Sequence, residues 1–150
     1  MAVPHDPTVL PTELPVPQDD GGARHLTGLQ LPALALDATD GSHVELSKLA
    51  GRTVVYIYPR TGVPGQPSPE GWDAIPGARG CTPQSCSFRD HFAELKLTRA
   101  IKLPTFSIAG MTLLKRMALV IDDGKITRVF YPVFPPDKNA EEVIAWLKAN

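Results

Sequence analysis

The chain is poor in cysteine, in long apolar runs and in clustered charge. It has two cysteines among 150 residues, and no apolar stretch approaches the length of a transmembrane helix. Lysine and arginine together number 15 against 16 acidic residues. Without a basic run, nothing favours nucleic acid or an anionic membrane as a partner. In a reducing compartment, a lone cysteine pair favours catalysis, redox sensing or metal binding over a structural disulfide.

The N-terminal segment differs in composition from the rest of the chain. Of 16 prolines in all, five fall within the first 17 residues, and an Asp-Asp-Gly-Gly run follows them. We therefore predict an irregular, proline-rich arm over residues 1–25 and one domain over residues 26–150. Residues 1–6 lack the basic start and apolar stretch of a signal peptide, so a cytoplasmic protein is expected.

Residues 26–150 predict the order hairpin, buried strand, helix, hairpin, helix. The β-branched and aromatic run 53–58 predicts a strand buried on both faces, in a mostly parallel or mixed sheet. Asn139-x-x-Glu142 resembles a capping box at the start of the last helix. This order is typical of a thioredoxin-like α/β fold with a central mixed sheet flanked by helices. The other predicted elements are strands at 29–36, 43–46, 112–121 and 125–131, a turn at 122–124 and a helix that continues to Ile101, with Thr82 a good N-cap and Pro83 suited to its first position.

Both cysteines lie in residues 80–86, at the predicted start of the first helix. Unpaired N–H groups and the helix dipole favour a thiolate there, and a second thiol can capture its oxidised form. If Thr82 is the N-cap, Cys81 and Cys86 occupy positions that touch in a hydrophobic staple. If the helix begins at Gly80, they lie about 140° apart and the first turns must unwind before they bridge. Either arrangement needs a conformational step to form a disulfide.

Two simpler explanations of the cysteines are weaker. Two buried thiols that merely fill space would not explain the capping residues and the long Pro/Gly-rich loop before them. Zinc would need ligand pairs, but C-x₄-C is loosely spaced for zinc and the four histidines are scattered. Those histidines are His5, His25, His43 and His91.

The residues around the cysteines resemble those of the peroxiredoxins of the bacterioferritin-comigratory-protein (Q) type. Tyr58-Pro59 and residues 80–90 carry the resemblance, and residues 71–86 look like a bacterial subgroup with an enlarged active-site loop. The similarity continues through residues 103–106 and 130–136 and covers most of residues 27–150.

The resemblance implies a peroxidase with sulfur as its only redox group and no cofactor. Cys81 would be the peroxidatic cysteine and Cys86 the resolving cysteine of an intramolecular disulfide. Pro59 would shield the thiolate, and Arg116 would stabilise the thiolate and the charge that develops on oxygen. The implied partners are a peroxide and thioredoxin or a similar dithiol.

This chain departs from the family pattern in two places. Ala78 stands where the family usually has Thr or Ser, so Thr82 or backbone N–H groups would have to supply that hydrogen bond. In relatives, another strand and helix precede the segment that matches residues 97–100, whereas here Lys96 joins Leu97 directly. The missing strand would leave strand 54–58 at an exposed edge, so we expect a monomer or a weak dimer through that edge.

The residues also allow other functions on the same fold. One alternative is a thiol–disulfide oxidoreductase, and another is a non-catalytic redox-sensing module. A thiol-dependent peroxidase is the main hypothesis.

Overall fold

A computed structural model describes residues 10–38, 40–60, 67–81 and 101–150 of the chain. The strands at residues 52–57, 117–122 and 125–130 form its main sheet, with the second of them in the middle, and two short hairpins lie outside this sheet. The strands are β1 (Leu36–Asp37), β2 (His43–Val44), β3 (Arg52–Ile57), β4 (Thr105–Ile108), β5 (Met111–Leu114), β6 (Met117–Asp122) and β7 (Lys125–Phe130), and helix α1 spans Asn139–Ala149.

β6 is the central strand of the main sheet. Its side chains point alternately into two different apolar clusters, one on each side of the sheet. Met117, Leu119 and Ile121 lie in the larger cluster with Ile57. Ala118 and Val120, which alternate with them, lie in the second cluster with Val143 of α1. Because side chains alternate along a strand, a continuous apolar run such as β6 is buried on both faces.

The predicted strand at 53–58 is present as β3, but it is less buried than predicted. Most of β3 is half-buried, and only its last residue, Ile57, is buried. In the described ranges β3 pairs only with β6, and the pair is antiparallel. The doubly buried strand is therefore β6, which has neighbours on both sides. The strand pairs of the described residues are all antiparallel, so the parallel part of the predicted mixed sheet is not among them.

Several other predicted elements occur with changed bounds. Residues 29–36 make only an isolated bridge at Gln30 and the start of β1. The turn before β7 occurs as predicted, with positive φ at Asp123 and Gly124. The hairpin strand β4 was not predicted. The predicted strand 112–121 is divided into β5 and β6, with Lys115 and Arg116 between them.

The predicted capping box at Asn139 is wrong. A 3₁₀ turn at Pro136–Lys138 runs directly into α1, and Asn139 has helical φ and ψ of −60° and −39°. Asn139 is also buried, with 1% of its surface exposed. A residue with helical dihedrals inside this continuous helical segment is not an N-cap, which needs non-helical backbone.

Candidate active site

The loop before Cys81 is anchored on the domain through Trp72. Trp72 begins a 3₁₀ turn, is 5% exposed and packs on Phe106 of β4 with ring centroids 6.1 Å apart. Gly80 then has φ of 102°, and a Cβ at this position would overlap the ring of Pro136. Glycine alone combines that conformation with so close an approach. The loop therefore brings Gly80, the residue before Cys81, against the segment that precedes α1.

The backbone is helical at Cys81. This agrees with the alternative in which the helix begins at Gly80 rather than the one in which Thr82 is the N-cap. Cys81 is half-buried and its thiol is free. Thr82 and Cys86 lie outside the described residues, so their predicted roles stay predictions.

Arg116 reaches the same loop from the break between β5 and β6. Its side chain is buried, with 3% of the residue exposed. Nε donates to the carbonyl of Gly77 at 3.3 Å, and Nη2 donates to the carbonyls of Ala78 and Arg79, each at 3.3 Å. Nη2 also lies 3.2 Å from Sγ of Cys81. A buried guanidinium needs such acceptors, because an unpaired buried charge is costly. The three carbonyls therefore hold it beside the sulfur.

The two protonation states of Cys81 use different neighbours. The thiol donates to the carbonyl of Ala78, with Sγ 3.6 Å from the oxygen. A thiolate cannot donate, but it accepts the charge-assisted hydrogen bond of Arg116 more strongly than a thiol does. Nη2 of Arg116 therefore places an N–H donor beside the sulfur and beside any atom that reacts with it.

The predicted site residues are only partly brought together. Cys81 and Arg116 are in contact. Pro59 is buried two residues beyond the end of β3, and its shielding of the thiolate stays a prediction. Ala78 is fully buried, and its carbonyl, rather than a side-chain hydroxyl, faces both Cys81 and Arg116.

Sequence reasoning missed an ion pair inside the loop. Arg79 Nη1 donates to both carboxylate oxygens of Asp73, at 2.5 and 2.7 Å. The two residues are six positions apart in an irregular segment, where no helix or strand periodicity relates side chains. Only their opposite charges could have indicated the pair.

A cavity of about 300 Å³ adjoins the site. Arg116 lines it together with residues of the N-terminal arm, the loop, β4 and the segment after β7. Asp20 belongs to the arm, and its carboxylate accepts hydrogen bonds from Lys115 at 2.5 Å and from Tyr131 Oη at 2.7 Å. This contact holds the arm against the cavity. The other lining residues are Pro17, Gln18, Ile75, Pro76, Gly77, Phe106, Pro132 and Val133.

The contact of the arm predicts a pH-dependent stability. The hydrogen bond from Lys115, and after it that from Tyr131, holds the pKa of Asp20 well below its usual range. Burial, and after it the hydrogen bond to Asp20, raises the pKa of Tyr131. A lowered carboxyl pKa contributes stability above the unfolded value of about 3.9, and the contribution is lost as the pH falls through the folded value. The raised tyrosine pKa contributes below about pH 10 and is lost at more alkaline pH.

We therefore expect Asp20→Asn to lower the free energy of unfolding at pH 7 by up to about 1 kcal/mol, since the pair is partly exposed. The difference from the unsubstituted protein should shrink below about pH 4. Urea unfolding at several pH values measures it. Asp19→Asn is the matched control, because Asp19 instead accepts from the backbone N–H of Gly21. An Asp20→Asn difference that is constant with pH would contradict this account.

In the part of the chain that the structure describes, no three His, Cys, Asp or Glu side chains are grouped as metal ligands would be. Among the same residues, no helix is both long and apolar enough to cross a membrane.

No protein-family model matches the chain, but curated proteins do. It is 37% identical over 70 residues to the chloroplastic peroxiredoxin Q of Suaeda salsa, which covers 46% of this chain and 26% of that protein. It is 35% identical over 68 residues to a peroxiredoxin-type protein of Mycobacterium tuberculosis, which covers 45% of this chain and 34% of that protein. The chain thus spans about a quarter to a third of the length of these relatives.

Solved structures of the same kind have a similar fold. Peroxidoxin BcpB of Mycobacterium tuberculosis aligns with a TM-score of 0.58 at 20% identity, over 82% of this chain and 96% of its own. Peroxiredoxin Q of Xanthomonas campestris aligns with a TM-score of 0.56 at 20% identity, over 83% and 98%. The predicted thioredoxin-like fold and the resemblance to the Q type are confirmed. The predicted loss of a strand and a helix falls between Lys96 and Leu97, outside the described residues.

Proposed function

We propose that this chain, whose fold is that of the Q-type peroxiredoxins and whose sequence resembles theirs over nearly half its length, is a thiol-dependent peroxidase. The observation that carries the proposal is the 3.2 Å contact between Nη2 of the buried Arg116 and Sγ of Cys81. A cation that stabilises a thiolate and also donates a hydrogen bond to an attacking or leaving oxygen suits peroxide reduction.

In the proposed reaction, the thiolate sulfur of Cys81 attacks one peroxide oxygen. The S–O bond forms as the O–O bond breaks, and the leaving oxygen takes a proton and departs as water or an alcohol. Cys81 is then a sulfenic acid. The thiol of Cys86 condenses with it, releasing water and forming a disulfide. Thioredoxin or a similar dithiol reduces that disulfide and is itself oxidised.

The setting follows from this chemistry. A reducing compartment such as the cytoplasm supplies the dithiol, and the substrate is hydrogen peroxide or an organic hydroperoxide. Pro59 shields the thiolate, and Thr82 takes part in holding the peroxide. The protein acts as a monomer or weak dimer, with residues 1–25 as an arm on a domain of residues 26–150.

The alternative of a thiol–disulfide oxidoreductase is less well supported. A disulfide substrate must bring a second sulfur with its polypeptide or organic substituents up to Cys81. Cys81 is half-buried beside a buried guanidinium, which suits a small oxygen substrate better.

The test is the intact mass of the reduced protein after one equivalent of hydrogen peroxide. We expect rapid loss of the peroxide and a product lighter by two hydrogen atoms, as a disulfide requires. A Cys86→Ser variant should instead gain one oxygen atom, because nothing resolves its sulfenic acid. Peroxide that persists beside an unchanged mass, with ready exchange against small disulfides, would favour the oxidoreductase.

A further inference from the structure

Arg116 is held by main-chain carbonyls that belong to an irregular loop. The acceptors are the carbonyls of residues 77, 78 and 79. These carbonyls lie in a turn rather than in a strand or helix, and Gly77 among them has φ of 77°. The direction of the guanidinium toward Cys81 therefore depends on what fixes this loop.

The pair of Asp73 and Arg79 spans the last part of that loop, six positions apart. Asp73 lies in the 3₁₀ turn that Trp72 anchors by packing on Phe106. Arg79 follows the left-handed residue Gly77, and its own carbonyl accepts from Nη2 of Arg116. The ion pair thus ties the last acceptor before Cys81 to a fixed point of the domain.

The two side chains of the pair differ in exposure. The Asp73 side chain is 57% exposed, whereas that of Arg79 is 13% exposed. A pair that is open to solvent on one side contributes little to the stability of the fold. The pair does, however, hold the last part of the loop in one conformation. That matters for the reaction, because displacements of about 1 Å near reacting atoms can lower a rate strongly.

We infer that Asp73 and Arg79 are positioning residues of the site. Their ion pair sets the loop carbonyls that aim the guanidinium of Arg116 at the sulfur of Cys81. The peroxide assay of this inference rests on the proposed function. The contacts from which it is argued do not. In this role the side chains of Asp73 and Arg79 do not act on the sulfur directly. Their effect on the reactivity of Cys81 is transmitted by Arg116.

The first test is Asp73→Asn, which removes the charge and keeps the size of the side chain. We expect the second-order rate of Cys81 with hydrogen peroxide to fall about two- to fivefold, with an unchanged melting temperature. Glu141→Gln is the matched control, because Glu141 is an exposed carboxylate that pairs with Lys138 at 3.0 Å in the C-terminal segment. That control should leave the rate unchanged.

Two further variants separate positioning from a merely structural role. Asp73→Asn should have no additional effect on the rate in an Arg116→Met background, since the residue that it positions is gone. Exchanging the charges, with Asp73→Arg and Arg79→Asp together, should restore part of the rate that either change alone removes. The inference is overturned if Asp73→Asn leaves the rate unchanged, or lowers it equally in both backgrounds.

Alkylation of Cys81 by iodoacetamide at one fixed pH, followed by mass spectrometry of its peptide, distinguishes this inference from the proposed function. If the unsubstituted protein does not consume peroxide, the proposed function fails. The positioning role still predicts that Cys81 is alkylated more slowly in Asp73→Asn than in the unsubstituted protein. In the Arg116→Met background, Asp73→Asn should not change the alkylation rate. Equal alkylation rates would remove the positioning role whatever the peroxide result.

Discussion

Cys81→Ser is expected to lower the rate of peroxide consumption by more than about a thousandfold, as removal of an essential nucleophile does. A serine hydroxyl stays protonated near neutral pH and is a far weaker nucleophile toward oxygen than a thiolate. The substitution should spare the fold. A hydroxyl can donate to the carbonyl of Ala78 and accept from Arg116, as the thiol does.

The measurement is the disappearance of peroxide under single-turnover conditions, together with the melting temperature. Cys86→Ser is the matched control, because it also removes one thiol. We expect it to keep a full first turnover and to lose only the turnovers that need the disulfide. If Cys81→Ser consumes peroxide as fast as the unsubstituted protein, both enzymatic hypotheses for this thiol are wrong.

Arg116→Met is expected to lower the rate of Cys81 with peroxide by about a hundred- to a thousandfold. Loss of one preorganised donor at a site of developing charge has effects of this size. Here the same N–H group faces the thiolate and the place where the reacting oxygen must lie, since Nη2 is 3.2 Å from Sγ. Methionine keeps much of the apolar length of the side chain and removes the charge and the donors.

This variant can also lower stability, because it removes the donor from three loop carbonyls. Each buried acceptor left unsatisfied costs about 1–3 kcal/mol. Arg116→Lys therefore serves as the second variant, since it keeps the charge but not the planar fork. We expect a rate between those of the unsubstituted protein and Arg116→Met.

Arg128→Met is the matched control for Arg116→Met. Arg128 is an exposed residue of β7 that lies over the ring of Phe130, 5.2 Å from its centroid. Its removal should leave the peroxide rate unchanged. A peroxide rate for a folded Arg116→Met protein equal to that of Arg128→Met would contradict the role of the guanidinium.

The local sequence was sufficient to predict the features whose physics is local. The run 53–58 predicts β3, and Asp123-Gly124 predicts the turn before β7, because strand propensity and positive φ depend on nearby residues. The resemblance of residues 80–90 to the Q-type peroxiredoxins singled out Cys81, and the match of residues 114–117 to the family's active-site arginine singled out Arg116.

The tertiary structure decided which of these residues meet and what holds them together. Arg116 and Cys81 are 35 positions apart, and Asp20 and Tyr131 are 111 apart. The capping box failed for a related reason, since the 3₁₀ turn before Asn139 continues into α1 and makes that residue helical. Neither result follows from spacing along the chain.

By itself, the sequence determined the position of the thiol at the end of a Pro/Gly-rich loop and most strands of the main sheet, and the resemblance added Arg116 as its expected partner. Only the tertiary structure decided that main-chain carbonyls hold the cation beside the sulfur and that Asp73 and Arg79 close the loop that presents those carbonyls. The reason is physical. Every residue has a main-chain carbonyl, so the sequence does not indicate which carbonyls will accept a hydrogen bond from Arg116. The direction of each carbonyl is set by the packing of segments that are distant along the chain.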